Sequence, residues 1–270
     1  MPEGHTVHRS ANDFNRLFAG APLLVSSPQG RFSASAALLS GRKLKKASAV
    51  GKQLFLRFEG DLTIRIHLGI YGKWRFHSLN DENDNPDVVP IVGEVRARFA
   101  NSSAVADLRG PTVCEVLTRA EVDLVLARLG PDPINPDPSG AEAERFIEKV
   151  LSSKSTIGQL LMNQAVVSGI GNVYRAEILF RAGIDPYTPG NALKRDQVSA
   201  IWVDAVQLLA VGVKTGFMIT RDELIKKRPT KAERNFVYKR EGQPCRVCDQ
   251  EISIAIMATR KLYWCARCQG

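Results

Sequence analysis

The stretch CRVCDQEISIAIMATRKLYWCARC, residues 245–268, sets Cys245 and Cys248 at one end and Cys265 and Cys268 at the other, with sixteen residues between the pairs. Each C-x-x-C turn aims two thiolates at one point, and two such turns complete the closed tetrahedral sulfur shell that a structural zinc ion takes. A redox role needs only one pair, and disulfides do not suit a cytosolic chain. Four thiolates leave no open position for water, so one zinc ion is expected to hold a small β-ribbon rather than perform chemistry. Between the pairs, EISIAIMATRKLYW alternates isoleucines with other residues and then turns as a hairpin does, with Arg260 and Lys261 at its tip. The fifth cysteine, Cys114, reads as a small core residue.

The charge around this stretch is one-sided. The chain has 270 residues and a formal charge of +9, and from Lys214 to Gly270 there are thirteen Lys and Arg against six Asp and Glu. A polyanion is the expected large partner of such a basic C-terminal region. Hydrophobic residues at 44% and charged residues at 24% are ordinary globular usage and argue against wholesale disorder. No uninterrupted apolar run long enough for a membrane span stands out, and the first residues lack a signal-peptide core, so a folded protein of the cell interior is expected.

Upstream, PDPINPDPSG (131–140) has four prolines in ten positions and reads as an extended linker between an N-terminal domain over 1–130 and the rest. Ahead of it the pattern is mostly strand. RKLKKASA, KQLFLRFEG and DLTIRIHLGIYGKWRF alternate with period two, with Leu62, Ile64, Ile66 and Leu68 on one face and Thr63, Arg65 and His67 on the other. One helix precedes them, its buried stripe formed by Val7, Ala11, Phe14, Leu17 and Phe18, with Gly20 placed as its C-cap. Lys52 heads the strand whose apolar face is Leu54, Leu56 and Phe58, so its parity points it to the buried side. There a lowered lysine pKa suits proton transfer, although a strand-edge lysine fits the pattern as well.

Beyond the linker the chain turns helical. STIGQLLMNQAVVSGIGNVYRAEILFRAGIDP (155–186) reads as helix, glycine-rich break, helix, with Ile157, Leu160 and Leu161 on one side of the first and Asn172 capping the second. Gly169 and Gly171 remove side chains at the break and let an anion such as a phosphate approach the helix N-terminus, though a tight hairpin uses glycine for packing alone. A further helix carries Val198, Ile201, Trp202, Ala205, Leu208 and Leu209 as its core stripe.

At the other end the chain opens MPEGHTVHR. Trimming of the methionine leaves Pro2 with a free secondary amine, which titrates near 8 and is partly neutral at physiological pH. A neutral amine can attack an electrophilic carbon and form an iminium, with Glu3 moving the accompanying proton.

Four features together, the start MPEG, the lysine in GKQLF, the GIGNVYRAEILF segment and the four-cysteine ribbon, resemble the formamidopyrimidine-DNA glycosylase and endonuclease VIII family over essentially the whole chain. The resemblance implies an α+β fold with an N-terminal β-sandwich and flanking helix, a helix-two-turns-helix domain over 141–240 and a zinc ribbon over 241–270. It implies a bifunctional DNA glycosylase and AP lyase of base excision repair, working through an N-terminal proline Schiff base and β/δ-elimination. Pro2 matches the nucleophile at C1′, Glu3 the carboxylate that assists ring opening, and Lys52 the lysine of the elimination step. Asn172 matches the phosphate-binding asparagine, Arg260 the ribbon arginine linked to the second elimination, and Arg128 a DNA-contacting arginine.

Enzymes that evert a nucleotide fill the gap with stacking or inserting side chains. Ile70 and Tyr71 in HLGIYG resemble the Leu-Tyr wedge of bacterial endonuclease VIII, with Gly69 where that type has glutamine. His5 and Thr6 stand where the family opening continues with proline and a second glutamate, and His5 is read as a helix-surface residue. The expectation is therefore a monomeric bacterial enzyme of the cytoplasm, associated with the nucleoid through DNA binding. Its substrate is double-stranded DNA with damaged bases or abasic sites, oxidised pyrimidines favoured. The alternatives are the same chemistry on oxidised purines and a non-catalytic DNA-binding zinc protein of the same fold.

Overall fold

A computed structural model describes residues 2–79, 89–227 and 229–270. The chain divides into two compact units. The first holds Pro2 and Thr6–Arg128; the second holds Glu3–His5 and Leu129–Gly270.

Helix α1 (Gly4–Phe18) starts the fold. Val7, Ala11, Phe14 and Phe18 form the expected stripe and are all buried, while Leu17 is partly so. They pack into the core of two antiparallel four-stranded sheets. One sheet has the order β1 (Leu24–Ser26), β6 (Val95–Ala100), β7 (Ala104–Arg109), β5 (Lys73–Ser78). The other has the order β2 (Leu44–Val50), β3 (Gln53–Phe58), β4 (Thr63–His67), β8 (Val113–Leu117). Short helix α2 (Ser33–Leu39) follows β1, and α3 (Arg119–Leu126) follows β8 with Thr118 and Glu121 forming a capping box. Ile64 and Ile66 from one sheet and Phe99, Ala106 and Leu108 from the other are fully buried in one sandwich core, as side chains on the inner faces of packed sheets must be. Phe14 anchors the helix in it, its ring 4.8 Å from Trp74 and 5.6 Å from Phe99, both edge-on.

The run DLTIRIHLGIYGKWRF does not stay in one sheet. β4 pairs with β3 and β8, whereas β5 pairs with β7. The alternation continues through both strands, but the chain changes sheets at residues 68–72, where Gly69 takes φ +65° and Gly72 donates its N–H to the Leu68 carbonyl at 2.9 Å.

In the second unit, residues 131–140 form neither helix nor strand, yet Pro131, Asp132 and Pro133 are buried. Pro131 accepts the Ser168 N–H at 2.8 Å, and Asp132 accepts the N–H of Ile134 at 2.9 Å. The helices are α4 (Ala141–Leu151), α5 (Ile157–Leu160), α6 (Asn172–Arg181) and α7 (Arg195–Thr215). Phe146, Val150, Leu161, Tyr174, Ile178 and Leu209 lie in their common core. α7 is long and apolar enough to cross a membrane by length and composition, but its stripe from Val198 to Leu209 is spent on this core.

The first helix of the glycine-rich segment is a single turn rather than a full helix. Its N-terminus is closed by a Thr156–Gln159 capping box. Beyond it, side chains take the backbone's partners. Gln164 donates to Met162 and Ile170 carbonyls and accepts the Gly169 N–H, and Asn163 accepts the Ala165 N–H. The ribbon is β9 (Ser253–Met257) and β10 (Arg260–Trp264), paired Met257 to Arg260. Ile252 and Met257 are buried, but Ile254 and Ile256 are exposed, so the isoleucine face of the hairpin looks outward.

Candidate active site

Pro2 precedes α1 and lines a cavity of about 460 Å³ in the first unit. Thr6, Arg9 and Ser10 from one side of α1, Ile70 from the sheet-switching turn and Trp74 from β5 line it too. The expected trimming concerns Met1, which lies outside the described residues.

Glu3 is fully buried in the second unit. Its carboxylate accepts the N–H of Gly171 at 2.8 Å, of Val173 at 2.9 Å and of Tyr174 at 3.5 Å, the donors left unpaired at the N-terminus of α6. This corrects two expectations. Asn172 is the first residue of α6, Gly171 is its N-cap, and the cap is the carboxylate of Glu3 rather than the Asn172 side chain. The anion at this helix N-terminus is a side chain of the chain itself, where a phosphate was expected, and it suits the positive end of the helix dipole. The glycines serve that approach: a Cβ on Gly171 would fall 2.5 Å from Glu3 Cδ, and one on Gly4 would fall 2.9 Å from Gly169 Cα. His5 is likewise no surface residue. It is buried with its ring edge-on to Tyr174 at 5.4 Å, and a Cβ on Gly212 would come within 2.7 Å of its ring.

Asn172 points its side chain toward the ribbon, donating to the Lys261 carbonyl at 2.8 Å. Arg175, one turn on, donates to Asn172 Oδ1, to the Lys261 carbonyl at 3.2 Å and to the Met257 carbonyl at 3.3 Å. Burial pulls the Arg175 pKa down to about 10 against the opposing pull of Glu3, and the group stays charged. Arg260 follows the ribbon turn Ala258–Thr259, where both residues take positive φ, 50° and 60°, a conformation uncommon for non-glycine residues. Arg260 is half-buried. Glu177 is fully buried and accepts the N–H groups of Phe236, Val237 and Tyr238 at 2.7 to 2.9 Å and the Thr220 hydroxyl at 2.6 Å. It thereby fixes the segment that enters the first cysteine turn. Sequence reasoning passed over Arg175 and Glu177; the signal was two charged residues inside the apolar run NVYRAEILF, each too costly to bury without several partners.

Lys52 is not part of β3. It sits after Gly51, φ +58°, in the turn joining β2 to β3, half-buried, because the tight two-residue connection needs those positions. Its charge is felt at His67 on β4, whose pKa is lowered by burial first, then by Lys52 and Arg65. Ile70 and Tyr71 are 40% and 85% exposed at the tip of the turn, a large aromatic held out into solvent. Arg128 is exposed beyond α3. The first unit thus carries Pro2, Lys52, Ile70, Tyr71 and Arg128; the second carries Glu3, Asn172, Arg260 and the four ribbon cysteines.

The Sγ atoms of Cys245, Cys248, Cys265 and Cys268 lie within 4.8 Å of one another, with 3.4 Å between Cys248 and Cys265 and 3.8 Å between Cys245 and Cys268. Tetrahedral zinc with Zn–S bonds of about 2.3 Å sets its sulfurs roughly 3.8 Å apart, so the donor set fits one structural zinc ion.

Three family models match the chain: the formamidopyrimidine-DNA glycosylase N-terminal domain over residues 1–114, the formamidopyrimidine-DNA glycosylase H2TH domain over 129–223, and the zinc finger found in FPG and IleRS over 242–270. Endonuclease 8 1 of Mycobacterium tuberculosis is 44% identical over 273 residues, covering 100% of both chains. Endonuclease 8 of Escherichia coli is 28% identical over 276 residues, again covering 100% of both. Among solved structures, the Lactococcus lactis formamidopyrimidine DNA glycosylase bound to DNA containing an AP site superposes with a TM-score of 0.79 at 20% identity over 99% of both chains. The MutM protein of Thermus thermophilus gives 0.77 at 24% identity, covering 100% of this chain and 99% of its own.

Proposed function

We infer how this protein works from what it is: the chain belongs to the formamidopyrimidine-DNA glycosylase and endonuclease VIII family and is a DNA glycosylase with AP-lyase activity in base excision repair. Its substrate, in our reading, is double-stranded DNA bearing an oxidised pyrimidine or an abasic site. The relatives are bacterial, so that DNA lies in the cytoplasm.

The neutral amine of trimmed Pro2 attacks C1′ of the damaged nucleotide. The base leaves with the electron pair of its glycosidic bond and takes up the proton that the Pro2 nitrogen releases; the nitrogen lone pair then opens the C1′–O4′ bond, O4′ takes a proton to become a hydroxyl, and an iminium is left between Pro2 and C1′. That iminium acidifies the C2′ protons. Loss of one expels the 3′ phosphate, a second elimination expels the 5′ phosphate, and water then releases the sugar fragment from Pro2. Lys52 moves the C2′ proton, for which its half-buried place in the β2–β3 turn suits it. Glu3 supports the nucleophile chiefly by anchoring the start of the chain, and to pass a proton to the opening ring its carboxylate must first take one up in competition with the N–H hydrogen bonds it accepts at α6. Arg260 grips a phosphate beside the lesion, and Asn172, whose Oδ1 is held by Arg175, joins it by giving up the Lys261 carbonyl. Zinc, when bound, keeps the ribbon folded so that Arg260 is presented.

The observation that supports this reading is that Pro2 and Ile70 line one cavity, the arrangement expected of a nucleophile and an inserting turn that act on the same everted nucleotide. The preference for pyrimidines rests on the Ile70–Tyr71 pair and on the relatives named endonuclease 8. Excision from duplexes carrying thymine glycol and from duplexes carrying 8-oxoguanine tests it. Thymine glycol is expected to be released faster, and faster release of 8-oxoguanine assigns the protein to oxidised purines instead.

A further inference from the structure

Two residues without a role so far sit directly under the exposed turn at 68–72. Ile70 and Tyr71 are held out into solvent, so their own side chains give the turn little packing. What fixes it lies at its base. His67, the last residue of β4, accepts the Gly69 N–H on Nδ1 at 3.1 Å, which places the ring proton of neutral His67 on Nε2. Thr112, in the loop before β8, lies with Oγ1 2.9 Å from the same Nδ1 and 3.0 Å from the His67 carbonyl, so its hydroxyl hydrogen is shared between two acceptors of one residue. The Thr112 N–H also donates to the His67 carbonyl, at 2.9 Å. The Thr112 methyl meets the turn as well: a Cβ on Gly69 would lie 2.4 Å from Thr112 Cγ2, at a φ of +65°. Gly69 is therefore required by its support, and the tip offers no side chain at 69 to the opposite strand.

We propose that His67 and Thr112 are positioning residues that hold the turn at 68–72 in the geometry by which Ile70 and Tyr71 replace an everted nucleotide. The proposal rests on the reading of Ile70 and Tyr71 as the inserting pair. His67 neutral is the working form, since a proton on Nδ1 removes the acceptor for Gly69. Lys52 and Arg65 face the ring with positive charge and oppose that proton, and Glu115 is engaged by Arg65 at 2.9 Å.

The test compares the full zinc-loaded protein with Thr112→Val, Thr112→Ser and the double variant Ile70→Ala/Tyr71→Ala. Two readouts separate eversion from chemistry: fluorescence of 2-aminopurine placed opposite a thymine glycol, and the borohydride trapping rate on a ready-made abasic site facing a one-nucleotide gap, where nothing has to be displaced. Thr112→Val, which keeps the methyl and puts a second one in place of the hydroxyl, is expected to slow the fluorescence change about tenfold, the scale of one lost hydrogen bond, while trapping at the gapped site stays within about twofold. Thr112→Ser keeps the hydroxyl and is expected to stay near the parent in both. Should Thr112→Val fail to fold, Thr112→Ala is read by the same criterion. If Ile70→Ala/Tyr71→Ala slows the fluorescence change but loss of the hydroxyl does not, or slows both readouts alike, the positioning role is overturned and the inserting pair stands. If the double variant leaves the fluorescence change unaltered, the inserting pair is wrong and the proposal falls with it.

Discussion

Glu3 accepts the Gly171 N–H at 2.8 Å across 168 residues of sequence, so the second residue after the start of the chain is the cap of a helix in its second half. The residue next to the proposed nucleophile is thus fixed by three backbone donors of α6, and a fraying N-terminus would leave those donors buried and unpaired.

Gly171→Ala puts a methyl 2.5 Å from Glu3 Cδ, and the carboxylate must retreat from the amides it caps. A loss of about 2 kcal/mol is expected in thermal or denaturant unfolding, the scale of buried donors left unsatisfied. Activity is expected to fall alike on intact oxidised bases and on abasic sites, because the anchoring of Pro2 serves both. A variant as stable and active as the parent contradicts the anchor.

How much of this was legible in the sequence follows the range of the interactions. The four cysteines declare their shell by spacing alone, and the α1 stripe declares its core face by helical period. The change of sheet at residues 68–72 was hidden because alternation is blind to which neighbour a strand pairs with; only Gly69 and Gly72 marked it. The role of Asn172 was misread for the same physical reason. A capping residue is normally local, and here the cap comes from Glu3, whose identity no window around SGIGN contains. The outward face of Ile254 and Ile256 shows the limit of period-two reading in a two-stranded ribbon, which has no second layer to decide which side is inside.

The histidine under the turn gives a pH prediction. Burial, Lys52 and Arg65 all lower the His67 pKa below its ordinary 6.5. Its neutral form therefore adds stability that is fully present above the unfolded value near 6.5 and is lost as pH falls through the folded value. Lys52→Met removes the second of these causes, so the His67 ring signals in an NMR titration are expected to move their midpoint upward, toward 6.5. A midpoint that stays or falls shows that the two groups do not interact.

Arg260→Ala is expected to weaken binding to duplex DNA of any sequence and to reduce the slope of log affinity against log salt by about 0.9, one phosphate contact. Affinities measured across a salt series check it, and an unchanged slope removes Arg260 from the phosphate contacts.

Cys265→Ser, or a chelator, takes one ligand or the ion from a shell whose sulfurs otherwise stand within 4.8 Å of one another. Zinc is expected to leave, DNA binding to weaken, and the sandwich core built on Phe14, Ile66 and Phe99 to stay folded, since none of it lies in the second unit. Zinc content, DNA affinity and proteolysis of each half report these separately. Unchanged DNA affinity in a zinc-free protein contradicts the assigned role of the ribbon.

The central claim is that the nitrogen of Pro2 is the nucleophile, and it is tested most directly by borohydride trapping on abasic-site DNA with two forms of the protein. One begins at Pro2; the other carries a single added residue ahead of it, which turns the secondary amine into a tertiary amide without a nucleophilic lone pair. The form that begins at Pro2 is expected to become covalently attached to the DNA, with the adduct mapping to Pro2, while the extended form still binds DNA and does not trap. Equal trapping by both forms would show that another amine attacks C1′ and would contradict the mechanism proposed for this protein.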